Sequence, residues 1–318
     1  HSKKSLVLNN GEKINYSKLI IATGSKMKQL NLANNIKNVF YLRTIEDSIK
    51  LRSSIEANNK VGIVGSGYIG LEIASVVSEN NKEVVILEIE DRALKRVVSE
   101  TMSKFFKEKH ESQGVNFKFN TAISNISQTN GSISLTTQDQ KLINVDMLAV
   151  GIGVHAENRI ANLIGLDFDN GILVDENCRT NIKDIFAIGD CTNHLNQMYK
   201  IRMRLESVQN AMEQAKTVAS YICDDPKPYK KVPWFWSNQY DLRLQIAGNS
   251  MSFDEQIING SIEKEKFAVN YFLEKQLVAT ETVNWSKEFN FAKKHIEKGT
   301  IFSDVRIENS SIGLSNIA

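Results

Sequence analysis

Long apolar runs are missing from this chain. No stretch of its 318 residues approaches the roughly 20 consecutive apolar side chains that a membrane-spanning helix needs, so no membrane partner is expected. His1 to Leu6 carries two lysines but leads into no apolar segment, so it does not read as a secretory signal. Charge of one sign is also missing: 39 basic and 37 acidic residues leave a net charge of +2, and so small a surplus gives no reason to expect nucleic acid. Cysteine is scarce. Cys178, Cys191 and Cys223 are odd in number and widely spaced, which excludes a disulfide framework, a CxxC redox pair and a metal-ligand spacing. They read as small buried hydrophobes in a reducing cytoplasm, with no metal expected. Proline is scarcer than usual, and its three copies, Pro226, Pro228 and Pro233, fall within eight positions, so they mark the one strong linker signal.

What is present is a globular balance, with 42% hydrophobic and 24% charged residues, in a chain long enough for two or three domains that each bury a core. Leu6-Val7-Leu8, the turn residues Asn9-Asn10-Gly11 and Ile14 predict a hairpin, followed by the strand Leu19-Ile20-Ile21. The spacing of Ile45, Ile49, Leu51 and Ile55 predicts a helix over 44–57 that Asn58-Asn59 ends. Met102 to Gln113 reads as a second, more polar helix, and Val115 to Asp146 as short strands with a turn at Asn130-Gly131. Ile185 to Ile188 is an apolar strand entering Gly189-Asp190, and a helix follows over 207–222. Beyond the prolines, 242–247, 267–273 and 277–282 read as strands before a helical tail over 289–298.

The most informative segment is Val61 to Gly70. Its glycines fall as GxGxxG directly after a strand and at the start of a helix over 68–79, and the strand Glu83 to Glu88 completes a βαβ unit. Each glycine has its own task there. Gly65 permits the tight turn, Gly67 lets backbone approach a diphosphate, and Gly70 lets helix pack close to strand, while the helix N-terminus holds the phosphate charge. Glu88, 18 residues after Gly70, stands where an acid would bind an adenosine ribose hydroxyl. A carboxylate there repels the extra phosphate of NADPH, so NADH is the expected cofactor, with Arg92 near enough to soften that exclusion. For Glu72 two readings stay open: a place beneath the nicotinamide, or a simple complement to the helix dipole. Gly151 and Gly153 after Val150 likewise offer either a close backbone approach to the cofactor or a plain strand-end turn.

Taken in order, Tyr16 to Gly24, Tyr41-Leu42-Arg43-Thr44, the Gly-rich unit, Ile185 to Asp190, Arg204 to Ala211 and Val232 to Asp241 resemble the ferredoxin-reductase branch of the FAD-dependent pyridine-nucleotide oxidoreductases. The resemblance runs from Tyr16 to about Ile296. It implies an α/β fold of two Rossmann-like nucleotide-binding domains, the first incomplete, plus a C-terminal α+β domain. The corresponding boundaries are 1–46 and 169–230 for FAD, 47–168 for NADH, and 231–318 for the C-terminal domain. The family's first Gly-rich fingerprint has no counterpart here, so the N-terminal FAD segment is expected to be missing from this chain.

By that resemblance Thr23, Gly24, Arg43, Gly189, Asp190, Glu206, Ser207, Val208 and Trp236 would contact FAD. Gly65, Gly67, Tyr68, Ile69, Gly70, Glu72, Glu88, Arg92, Gly151 and Gly153 make up the expected NADH set. The helix beginning near Ser207 would aim its N–H groups at the flavin edge that collects negative charge, and Glu72 and Trp236 would flank the hydride-transfer site. The implied activity is NADH-dependent reduction of FAD, with electrons passed to a 2Fe–2S ferredoxin, in a monomer or homodimer. Two rivals stand beside it. A disulfide reductase or NADH oxidase of the same superfamily needs a redox cysteine near the flavin, which the spacing of the three cysteines does not offer. An NADH-sensing flavoprotein like apoptosis-inducing factor would turn over slowly whatever the acceptor.

Overall fold

The computed structural model describes residues 4–302 and 313–316. The described residues fall into two compact units, one within 4–26, 154–235 and 247–249, the other within 27–153, 236–246, 250–302 and 313–316.

The larger unit is built on a five-stranded sheet in the order Val39–Phe40, Met147–Val150, Lys60–Val64, Glu83–Leu87 and Val115–Lys118. Every pairing in it is parallel. Parallel strands are covered on both faces, which is why these read as unbroken apolar runs and not as alternation. Val61, Ile63, Ile86, Met147, Leu148 and Ala149 are all fully buried. The Tyr68–Glu79 helix joins two adjacent parallel strands as a crossover, closing the βαβ unit that the glycine pattern predicts. The helix Ile45–Ala57 starts with a capping box: Thr44 Oγ1 accepts from Asp47 N, and the Asp47 carboxylate accepts from Thr44 N. Its expected apolar face is only half realised, because Leu51 and Ile55 are buried while Ile45 is 76% and Ile49 60% exposed.

Two antiparallel sheets complete this unit. Ile123–Thr129, Ser132–Thr137 and Leu142–Val145 form a three-stranded meander. Its first turn is Asn130-Gly131, with φ of 51° and 88°, the left-handed pair that a two-residue hairpin loop of right-handed twist requires. The C-terminal sheet has the order Trp234–Gln239, Leu242–Gly248, Gln276–Val283, Lys266–Leu273, Glu255–Ser261, and the helix Ser286–Lys298 packs against the Gln276–Val283 strand. Sequence reading finds three of these strands and misses Trp234–Gln239 and Glu255–Ser261. The first looks like an aromatic motif, and the second alternates too weakly to stand out. A single apolar core runs from the parallel sheet into the C-terminal sheet, taking in Ile63, Leu71, Phe106, Phe267 and Tyr271. Phe105 bridges the two parts edge-to-face, 5.4 Å from Phe106 and 4.9 Å from Phe267.

In the smaller unit, Leu19–Ile21 pairs in parallel with Ile185–Ala187. A three-stranded sheet of Ile172–Val174, Thr192–Asn196 and Ile201–Met203 and the helix Val208–Ile222 complete it, around a core of Ile21, Ile172, Val174, Ile185 and Ala187. The predicted hairpin is Ser5–Val7 against Lys13–Asn15. The proline region is exposed from Cys223 to Pro228 and ends where Tyr229 turns inward, its hydroxyl donating to Asn210 Oδ1 at 2.9 Å. Cys178 and Cys191 are buried as expected, whereas Cys223 is exposed in this segment. Among the described residues no helix is long and apolar enough to cross a membrane, and no group of acidic, histidine or cysteine side chains could hold a metal ion.

Phe106 is 0% exposed at the junction of the two parts of the core. Phe106→Ala should cost about 3–5 kcal/mol in urea unfolding of the larger unit, the range for emptying a well-packed aromatic site.

Candidate functional site

The carboxyl ends of the parallel strands meet at the Gly-rich turn. Gly65 has φ +97°, and its N–H donates to Leu87 O at 2.9 Å, so the turn is tied to the end of the next strand. A Cβ on Gly65 would lie 2.6 Å from Gly151 O, and one on Gly70 only 2.0 Å from Gly65 O. No side chain of any size fits at either place. Gly67 differs: it has an ordinary φ of −75°, and a Cβ built on it meets nothing within 4 Å. That glycine is not required by protein packing, and the space beside it at the helix N-terminus is open. Gly67 also caps the Tyr68–Glu79 helix without any side-chain hydrogen bond, and no acid occupies the first turn. An anion there would meet positive helix charge that nothing neutralises.

Glu88 lies one residue beyond the Glu83–Leu87 strand and is clamped to this turn. Its Oε2 accepts from Ser66 N at 2.7 Å and Ser66 Oγ at 2.8 Å, and its Oε1 accepts from Glu90 N at 3.0 Å. A carboxylate has about four acceptor sites, so capacity remains for sugar hydroxyls. Ser66 is a residue that motif reading passes over, since it stands only as an unspecified position between two glycines. Arg92, expected near the same sugar, is turned elsewhere. Its guanidinium donates to Lys95 O at 3.0 Å, Val98 O at 3.1 Å and Ser99 O at 3.4 Å, all within its own loop. Gly151 is held by its N–H on Val64 O at 2.8 Å, and Gly153, φ +94°, accepts from Lys28 N at 3.0 Å.

Glu72 sits beyond the first helical turn, which removes the dipole as its main partner. Its Oε1 instead accepts from Ser237 Oγ at 2.5 Å. Ser237 Oγ accepts from Gln239 Nε2 at 3.1 Å, Gln239 Oε1 bonds His110 Nε2 at 2.9 Å, and His110 Nδ1 bonds Tyr240 Oη at 3.0 Å. None of these partners is visible in the sequence, because 165 residues separate Ser237 from Glu72. Burial raises the Glu72 carboxyl above its usual range, against the pull of the Ser237 hydroxyl and a backbone bond from Asn238. Burial lowers His110 to about 4, so its ring is neutral at pH 7. Trp236 lies half-buried on the Trp234–Gln239 strand, and the Arg43 side chain is exposed just before the helix that Thr44 caps.

In the smaller unit, the parallel pair Leu19–Ile21 and Ile185–Ala187 delivers Thr23-Gly24 and Gly189-Asp190 to neighbouring strand ends. Gly24 and Gly189 have φ of +68° and +78°. Ser25 Oγ donates to Asp190 Oδ2 at 3.0 Å, and Gly189 N donates to Gln214 Oε1 at 2.7 Å, which ties the second strand end to the Val208–Ile222 helix. Ser207 caps that helix by accepting from Asn210 N at 3.1 Å. Thr23 Oγ1 is buried with no partner among the described residues, a group that a bound polar ligand would satisfy. Glu206 is less suited to a ligand, since its carboxylate pairs with Arg204 at 2.5 Å, and Val208 is 56% exposed. Burial pushes the Cys178 thiol up to about 12, which removes it as a thiolate nucleophile.

The comparisons with known proteins agree with this arrangement. The profile of the pyridine nucleotide-disulphide oxidoreductases matches residues 1–215, and that of the reductase C-terminal domain matches residues 234–318. The ferredoxin reductase subunit of 5,5'-dehydrodivanillate O-demethylase from Sphingobium is 35% identical over 99% of this chain and 78% of its own length. Putidaredoxin reductase of Pseudomonas putida is 33% identical over 92% of this chain and 71% of its own length. Among solved structures, the ferredoxin reductase of the CYP199A2 system from Rhodopseudomonas palustris has a TM-score of 0.90 at 33% identity, covering 94% of this chain and 75% of that one.

Because the Glu72 carboxyl titrates above its unfolded value, the stability its neutral form contributes is present near pH 4.5 and is lost as pH rises through the raised value. Ser237→Ala removes a donor that favours the ionised form. Its stability deficit should therefore grow by about 1 kcal/mol between pH 5 and pH 8 in thermal unfolding, the lower end for a hydrogen bond to a partly exposed charge. An equal deficit at both pH values would show that Ser237 does not act through the Glu72 charge.

Proposed function

The chain belongs to the pyridine nucleotide-disulphide oxidoreductase family, in its ferredoxin-reductase branch, and from that we propose that it oxidises NADH and passes the electrons through FAD to a 2Fe–2S ferredoxin. The observation that carries the nucleotide half is the contrast among the glycines: Gly65 and Gly70 are forced by backbone contact, while Gly67 opens onto space that only a ligand has reason to need. The acceptor half rests on the relatives, one of which is solved as a covalent complex of putidaredoxin reductase with putidaredoxin, at 32% identity and a TM-score of 0.89.

In this reading the N–H groups at the start of the Tyr68–Glu79 helix receive the NADH diphosphate. Glu88, pre-oriented by Ser66, accepts from the adenosine ribose hydroxyls and keeps a 2′-phosphate out by charge repulsion. Gly151 and Gly153 bring backbone close to the cofactor, and Glu72, fixed by Ser237, stands at its nicotinamide end. Thr23 Oγ1, Gly24, Gly189 and the carboxylate of Asp190 would hold FAD, and the capped N-terminus of the Val208–Ile222 helix would face its electron-accepting edge. Bound FAD supplies the chemistry of accepting a hydride and releasing electrons one at a time. No side chain has to act as nucleophile or general base, so the protein's work is orientation and electrostatics. The unpaired, buried thiols of Cys178 and Cys191 suit a cytoplasmic setting, which forms part of the proposal.

Two measurements test it. Cytochrome c reduction by NADH should require added 2Fe–2S ferredoxin; turnover independent of ferredoxin would point to an oxidase, and slow turnover with every acceptor to a nucleotide sensor. Gly67→Ala should leave unfolding stability within about 0.5 kcal/mol of the parent, since it meets no protein atom, while weakening NADH binding roughly tenfold or more in calorimetry. Undiminished NADH affinity in that variant would place the diphosphate elsewhere.

A further inference from the structure

The segment from Glu88 to Ser99 begins at the proposed ribose ligand, and it is held partly by residues outside itself. Leu94 has φ +54° although it is bulky and only 2% exposed. Leucine disfavours that backbone region, and such a conformation persists only where its surroundings over-determine it. Two restraints are local: Leu94 N donates to Ser66 O at 3.0 Å, and the Arg92 guanidinium gathers the carbonyls of Lys95, Val98 and Ser99. The third comes from the C-terminal sheet. Glu281, 1% exposed, accepts from Ser99 N at 3.0 and 3.3 Å and from Ser99 Oγ at 2.7 Å. Ser99 Oγ also accepts from Met102 N at 3.1 Å and so caps the following helix.

A buried carboxylate is costly, and burial does push the Glu281 pKa up while the Ser99 donors pull it down. Helix capping alone does not call for it, because a serine hydroxyl caps a helix without help. Tyr271 and the Arg92 charge also favour the ionised form of Glu281, but its hydrogen bonds to both donors of Ser99 fix the residue whose carbonyl is one of the three that hold Arg92.

We propose that Glu281 is a positioning residue for nucleotide selectivity: by anchoring Ser99 it keeps Arg92 turned onto main-chain carbonyls, so that Glu88 alone meets the ribose edge of the dinucleotide. Arg92 stands only four residues after Glu88, and once released it would bring a guanidinium toward the place where NADPH carries its extra phosphate. The C-terminal domain thereby contributes to the preference for NADH without touching the nucleotide. This inference rests on the reading of Glu88 as the ribose ligand.

Calorimetric binding of NADH and NADPH to the FAD-loaded protein tests it, with the ratio of the two dissociation constants as the readout. In Glu281→Gln the amide turns N–H groups toward the Ser99 donors, and the preference for NADH should fall roughly tenfold. Adding Arg92→Ala to Glu281→Gln should restore most of the preference, which a merely structural defect would not do. Should Glu281→Gln fail to fold, Ser99→Ala removes the hydroxyl contact but keeps the N–H contact, and should shift the ratio in the same direction. A ratio unchanged in whichever variant folds, or a shift that persists after Arg92 is removed, overturns the proposal. Glu88→Ala separates the two layers: if it leaves the ratio unaltered, the ribose reading fails, and if it abolishes the preference while Glu281→Gln does not alter it, only the role of Glu281 fails.

Discussion

Three backbones meet at the turn of Gly65, the helix start at Gly70 and the strand end at Gly151, so closely that neither Gly65 nor Gly70 has room for a Cβ. Parallel strands end in the same direction, and a helix that follows one of them must begin close above the sheet for its dipole to point at a ligand lying there. The approach is possible only because Gly65 takes a left-handed φ and Gly70 has no side chain. Everything else at the site is arranged around this contact. Ser66, fixed between the glycines, presents its N–H and hydroxyl to Glu88 and its carbonyl to Leu94 N, so one residue ties the turn both to Glu88 and to the loop that follows it.

Local patterns make the βαβ unit over 60–88 and the Asn130-Gly131 turn legible, because each depends on residues close together in sequence. The exposed Ile45 and Ile49 show where such reading overreaches: a helical repeat of apolar residues states which side chains could be buried, and the neighbouring elements decide which are. The two missed C-terminal strands fail for the opposite reason. Trp234–Gln239 carries Ser237 and Gln239 as buried polar residues, so its pattern is not that of a half-apolar strand. Those polar groups are buried because they have partners, and the partners lie on other elements.

The site divides along the same line. The glycines and Glu88 are proposed from spacing alone, because the contacts that the structure shows for them lie within one βαβ unit. Arg92 could be named but not oriented, because a side chain that long is placed by whichever acceptors the fold brings within reach. Ser237 and Glu281 could not be found at all, since each acts on a residue more than 160 positions away. Both belong to the C-terminal sheet. The larger unit therefore places polar groups of that sheet against two points of the Gly-rich βαβ region, one at Glu72 and one at Ser99, the end of the loop after Glu88.

The direction of the hydrogen bonds at Glu72 carries a further consequence. With His110 neutral, its Nε2 must donate to Gln239 Oε1, which leaves Nδ1 to accept from the Tyr240 hydroxyl. Gln239 then donates to Ser237, and Ser237 to Glu72, so each donor along the chain points toward the carboxylate. A chain polarised in one sense stabilises negative charge at its end more than its isolated pairs would. Burial opposes that charge and the aligned donors support it. The ionisation of Glu72 is therefore set by groups of the C-terminal sheet as well as by its own helix.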